Sequence, residues 1–295
     1  MSNINLTGCG TALITPFRNG EVDYEAFAAL TDRQVAAGID FLVPLGTTGE
    51  TPCLDDDERV KVLQTAKEHS GGLPILVGGG TNSLKHTVRS MQHLDPYGVD
   101  AFLIVVPYYN KPTQEGQYQY FKAVAESTDK PIVLYNVPGR TGANMSAETT
   151  LRLAEIPNVV AVKEASGNRG QIEEILRNAP EGFGVLSGND DDTVWMMPKG
   201  GTGVISVASN VAPEKMVKFI RALQGGYTEK AYKLNEELTP LFTNCFVESN
   251  PIPAKAALHA MGFYDFRIRH RGGFVAGMHG QLGQADIHRG HGNMA

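Results

Sequence analysis

A lysine closes the apolar run "VVAVKEA" at residues 159–165. A strand covered on both faces takes Val, Ala and Ile, and an ammonium there costs desolvation unless something uses it. A neutral amine attacks a carbonyl to form an imine, and burial disfavours the ammonium form. The imine is protonated more readily than the parent ketone, so it draws electrons and makes the adjacent carbon acidic. The bland alternative for Lys163 is an ion pair, although Glu164 follows directly and points to the opposite face of a strand. Imine chemistry also needs a proton shuttle. Tyr135, Tyr109 and Thr47 supply hydroxyls that both donate and accept; amphipathic packing at strand ends would explain the tyrosines as well. The turn "GTTG" (46–49) offers backbone N–H groups as a carboxylate cradle. Arg140, in "PGRTG", suits a second carboxylate or is a surface loop arginine.

Such groups need strand ends to hold them. Eight apolar runs of strand length recur: "TALITPF" (11–17), "DFLVPL" (40–45), "PILVGG" (74–79), "AFLIVVP" (101–107), "PIVLYNV" (131–137), "VVAVKEA" (159–165), "FGVLSG" (183–188) and "GVISVAS" (203–209). Polar stretches of helical period lie between them. "DYEAFAALTDRQVAAG" puts Tyr24, Phe27, Leu30 and Val35 near one stripe, with Asp23 as N-cap and Gly38 as stop, and "DDDERVKVLQTAKEHSGG" repeats the grammar with Gly71 at its end. The alternation predicts an α/β chain, and eight strands close a (β/α)8 TIM barrel. No GxGxxG follows the first strand, which disfavours an open dinucleotide-binding sheet. In a barrel the reactive groups sit at the C-terminal strand ends, where "GTTGE", "PYYNKP", "YNVPGRTG" and Lys163 all fall. The barrel is expected over 1–224, with a C-terminal helical extension over 225–265. "KGGTGVIS" precedes its strand and reads as a tight αβ turn, not a phosphate loop. The aspartates of "GNDDDTVW" read as helix capping, not as a metal site.

With 295 residues, a formal charge of −6 and a pI near 5.8, the chain is a poor partner for nucleic acid or an anionic membrane. No apolar run reaches the roughly 20 residues of a membrane helix, and "MSNINLTGCG" lacks the pattern of a secretory signal. A cytoplasmic protein is expected. Cys9, Cys53 and Cys245 are far apart and odd in number, as reduced structural thiols are. Residues 266–295 change character: seven Gly, four of the eight His, and neither Lys nor Glu. This tail looks like out-of-frame translation of GC-rich DNA, giving a disordered or loosely packed end; a genuine lineage-specific tail is the alternative. Its His279, His288 and His291 form no preorganised site, and no metal is expected.

The motifs "GTTGE", "PYYNKP", "YNVPGRTG", "VKEASGN" and "SNPIPAK", in this order, resemble the dihydrodipicolinate synthases, pyruvate-dependent class I aldolases, over roughly residues 5 to 265. The resemblance implies a cytoplasmic homotetramer, a dimer of dimers. It implies condensation of pyruvate with L-aspartate-4-semialdehyde to 4-hydroxy-tetrahydrodipicolinate, a lyase step of diaminopimelate and lysine biosynthesis. By the same resemblance Lys163 forms the imine, Tyr135 and Thr47 relay protons, and Tyr109 enters the neighbouring subunit's site. Thr48 holds the pyruvate carboxylate, Arg140 receives that of the semialdehyde, and Gly188 and Ile205 line the pyruvate pocket. No metal or dissociable cofactor is implied. The alternatives are a sister aldolase (N-acetylneuraminate lyase or a 2-keto-3-deoxy-sugar-acid aldolase), which would lack the "GRTG" arginine, and a noncatalytic binding barrel.

One departure concerns regulation. Lysine-inhibited members of the family carry two histidines after the "GTTGE" turn and a glutamate after strand 3. The matching positions here are Asp56, Arg59 and His86, while Thr51, Asn82 and Tyr108 complete the region. Without that carboxylate the α-amino group of lysine loses its partner, so inhibition by L-lysine is expected to be weak or absent.

Overall fold

The computed structural model describes residues 4–264. Besides a short antiparallel pair, Phe17–Arg18 with Glu21–Val22, it holds the eight strands of one sheet: β1 (Gly8–Ala12), β2 (Phe41–Val43), β3 (Leu76–Gly78), β4 (Ala101–Val105), β5 (Ile132–Asn136), β6 (Val159–Glu164), β7 (Gly184–Ser187) and β8 (Gly203–Ser206). These eight pair in parallel in the order β2-β1-β8-β7-β6-β5-β4-β3. A parallel bridge between Leu42 and Ile75 joins the two ends, so the sheet closes into the expected barrel.

The continuous apolar runs follow from having two covered faces. Phe41, Val43, Leu76, Leu103, Val133, Ala161, Leu186 and Ile205 fill the barrel interior. Their neighbours Leu42, Val77, Phe102, Ile104, Leu134, Val162, Val185 and Val204 belong to the outer core with the helices. The first helix, Tyr24–Ala36, starts as the sequence predicts: Asp23 accepts from the Ala26 N–H, and Gly38 beyond its end has φ 82. The helix Asp56–Glu68 starts with a capping box between Asp55 and Glu58.

Two expectations are corrected. The first strand occupies Gly8–Ala12, whereas the apolar run pointed to 11–17. Gly10 explains the displacement: a Cβ there would lie 2.2 Å from the Phe41 ring, so this part of the interior is filled by a neighbour's side chain. The aspartates of "GNDDDTVW" do not cap the short helix Thr193–Met196, which has no side-chain cap. Asp190 instead accepts from the Val207 and Ala208 N–H groups at 3.1 and 3.0 Å, tying the end of β7 to the end of β8.

After the helix Pro213–Gln224 come the helices Thr228–Asn244 and Ile252–Ala260, the C-terminal helices anticipated beyond residue 224. The atypical tail, 266–295, lies outside the described residues. No described helix is long and apolar enough to cross a membrane.

Candidate active site

Lys163 and Tyr135 are register partners on β6 and β5, so both side chains enter the barrel from adjacent strands. They are 5% and 7% exposed, and Lys163 Nζ stands 4.4 Å from the centroid of the Tyr135 ring. The ion-pair alternative for Lys163 does not extend to Glu164, whose carboxylate faces outward. It accepts from the Ser166 N–H at 2.7 Å, from Asn136 Nδ2 at 3.1 and 3.2 Å, and from Gln171 Nε2 at 3.3 Å. Asn136 pairs in register with Glu164, so the two strands are joined behind the Tyr135–Lys163 pair. Burial nevertheless pushes the Glu164 carboxyl above its ordinary range, against the pull of these donors.

Gly188, just past β7, gives Lys163 its room. A Cβ there would meet Ala165 Cβ at 2.6 Å and Lys163 Cε at 3.2 Å. Ile205 is fully buried in the interior cluster beside Leu186 and Tyr135. Asp190, fully buried, lies near enough for the Lys163 charge to favour its carboxylate, yet burial raises its pKa overall.

Thr47 and Thr48 occupy a single 3-10 turn, Thr47–Gly49, after β2. The turn is fastened by the Glu50 N–H to the Thr47 carbonyl at 3.1 Å, by Thr51 Oγ1 to the Gly46 carbonyl at 3.0 Å, and by Thr15 Oγ1 to the Gly49 carbonyl at 2.8 Å. Thr48 is buried and accepts from Asn250 Nδ2 at 2.8 Å. Arg140 lies in the helical turn Pro138–Thr141 after β5 and donates to the Asn250 carbonyl at 3.4 Å.

Thr47, Tyr135 and Arg140 line one cavity of about 490 Å³ at the C-terminal ends of the strands. Lys163 is not part of its wall; it adjoins the cavity through the Tyr135 ring. Tyr109 lies outside, on a shallower hollow shared with Lys111 and Arg140. It is 86% exposed at φ 71, a conformation uncommon away from glycine, and its N–H donates to the Thr141 carbonyl at 3.2 Å. Within one chain, therefore, the Tyr–Thr–Tyr set is split: Thr47 and Tyr135 line the cavity and Tyr109 stands exposed outside it.

The suggested regulatory residues divide likewise. Thr51, Arg59 and Tyr108 line the same cavity as Thr47. Asp56 is exposed and pairs with Arg59 at 3.4 Å; Asn82 and His86 flank the start of the helix Leu84–Leu94 outside the cavity. Among the described residues no group of three His, Cys, Asp or Glu could hold a metal.

Sequence reasoning gave no role to Glu50, Asn250 or Lys255, although two of them lie in "SNPIPAK". The missed signal was the same as at Lys163: a lysine inside an apolar segment, "PIPAKAAL".

Residues 5–270 match the profile of the Dihydrodipicolinate synthetase family. A 4-hydroxy-tetrahydrodipicolinate synthase of Koribacter versatilis is 50% identical over 262 residues, 88% of this chain and 87% of the relative. The dihydrodipicolinate synthase of Thermotoga maritima superposes with a TM-score of 0.87 at 46% identity, covering 90% of this chain and 91% of that one. The chloride-inhibited enzyme of Acinetobacter baumannii, solved with pyruvate, gives 0.89 at 38% identity, covering 92% and 94%. A match across nearly all the described barrel, with relatives this similar over most of their length, means that the chain belongs to the dihydrodipicolinate synthetase family.

Proposed function

We propose that the chain is a 4-hydroxy-tetrahydrodipicolinate synthase, a lyase that condenses pyruvate with L-aspartate-4-semialdehyde on the route to diaminopimelate and lysine. The observation that carries this reading is the register pair Tyr135–Lys163 beside a cavity that also takes in Thr47 and Arg140. Lys163 Nζ attacks the pyruvate carbonyl; water leaves and an imine forms. Loss of a proton from the pyruvate methyl, taken through Tyr135 and Thr47, gives the enamine. The enamine carbon attacks the aldehyde, and the semialdehyde's own amine then displaces Lys163 as the ring closes. Thr48 and its turn hold the pyruvate carboxylate, Gly188 and Ile205 shape the pocket around it, and Arg140 takes the second carboxylate. The protonated imine of Lys163 with pyruvate is the electron sink, so the reaction calls for neither metal nor dissociable cofactor.

Tyr109, projecting from its surface, completes the relay in a neighbouring chain, within a cytoplasmic homotetramer built as a dimer of dimers. The test is a coupled assay with both substrates and a dihydrodipicolinate reductase reporting product by nicotinamide oxidation. Turnover by the wild-type chain and its loss by at least about a thousandfold in Lys163→Ala is expected; turnover that survives in Lys163→Ala refutes the scheme. Added L-lysine, meeting His86 where a glutamate would hold its α-amino group and Asp56 and Arg59 where two histidines would stand, is expected to leave the rate nearly unchanged. Half-inhibition at submillimolar L-lysine in the same assay would overturn that expectation.

A further inference from the structure

The buried pair behind the "GTTGE" turn has no part in the chemistry just described. Lys255, in the helix Ile252–Ala260, places Nζ 2.5 Å from Glu50 Oε1, with the two side chains 0% and 1% exposed. Nζ also lies 4.3 Å from the centroid of the Phe17 ring. Earlier in the same segment, Asn250 donates to Thr48 Oγ1 and its carbonyl accepts from Arg140. Glu50 ends the turn that carries Thr47 and Thr48, and it does so at φ 54. A non-glycine residue stays in that left-handed region only where its surroundings over-determine it. An apolar pair of similar volume is often as stable as a buried ion pair, so stability alone is a weak reason for this one. What the pair does fix is the place of residue 50.

We propose that Glu50, Lys255 and Asn250 are positioning residues: the ion pair and the Asn250–Thr48 hydrogen bond hold the Thr47–Thr48 turn where it receives the carboxylate of the 2-oxo acid. The C-terminal helix thereby sets the pyruvate affinity of a site built by the barrel. The proposal rests on the reading of Lys163 as the imine-forming lysine and of Thr48 as part of the carboxylate cradle.

The experiment traps the imine with borohydride across a range of pyruvate concentrations and reads the half-saturating concentration from the labelled fraction. Glu50→Gln/Lys255→Met removes both charges at nearly constant volume, and Asn250→Ala removes only the hydrogen bond to Thr48. Circular dichroism melts establish that each variant is folded. In both, half-saturating pyruvate is expected to rise about tenfold, equivalent to about 1.4 kcal/mol. KM for pyruvate rises with it while kcat stays within about threefold, because binding and not the chemical step is disturbed. A folded variant whose half-saturation stays within about twofold of wild type, or whose kcat falls with KM unmoved, overturns the proposal. Loss of folding in both variants also overturns it, since the segment then serves stability. Absence of any labelling in the wild-type chain instead overturns the reading of the site.

Discussion

At the scale of single residues, the site depends on groups that hold others still. Lys163 and Tyr135 meet because their strands pair in register, and that register is also tied from outside by the Asn136–Glu164 hydrogen bonds. Asp190 does comparable work between β7 and β8, with its carboxylate taking two backbone N–H groups in a fully buried place. Desolvation dominates there and raises its pKa above the ordinary aspartate range. The sign of the consequence follows by linkage. Between the unfolded and the raised folded value, the folded chain keeps a proton that the unfolded chain has released. Stability contributed by this group is therefore lost as pH rises through that window. Asp190→Asn removes the titration, so its unfolding free energy, measured in urea across mildly acidic pH, should fall less steeply than that of wild type. An identical slope in the two proteins would contradict the assignment.

At the scale of elements, the barrel interior is as tightly specified as its mouth. Gly10 on β1 faces the ring of Phe41, which is fully buried. Gly10→Ala must push that ring aside, and overpacking of this kind costs about 1–3 kcal/mol. Urea unfolding should show a loss of that size, and a variant as stable as wild type would show that the ring has somewhere to go. The same glycine marks where reading the sequence failed. Runs of Val, Ile and Leu reveal strands because both faces are covered, as at Ala101–Val105 and Ile132–Asn136. Gly8 and Gly10 carry no such signal, since what fills the space beside Gly10 comes from another strand. Helix starts such as Asp23 and Asp55 were legible because a cap is local chemistry. The Lys255–Glu50 pair was not, because its partners are 205 residues apart and neither side chain alone announces the other. Asp190 misled for a related reason: an aspartate before a short helix suggests a cap, but its carboxylate serves amides on the next loop.

At the scale of the whole molecule, the C-terminal segment returns to the mouth of the barrel and touches it at three points. Asn250 reaches both Thr48 and Arg140, and Lys255 reaches Glu50. The two carboxylate-binding elements of the proposed site, one after β2 and one after β5, are thus braced by the same stretch of chain. Tyr109 stands apart from that stretch, exposed and held at a positive φ, and its part in a neighbouring chain belongs to the proposed assembly. In the proposed reaction all of this serves one event, the attack of Lys163 on the carbonyl of pyruvate. The most direct measurement is therefore to treat the protein with pyruvate and borohydride, digest it, and locate the modification by mass spectrometry. The account predicts one reduced pyruvate adduct per chain, on the peptide containing Lys163 and absent from Lys163→Ala. An adduct on another lysine, or none from folded wild-type protein, would contradict it.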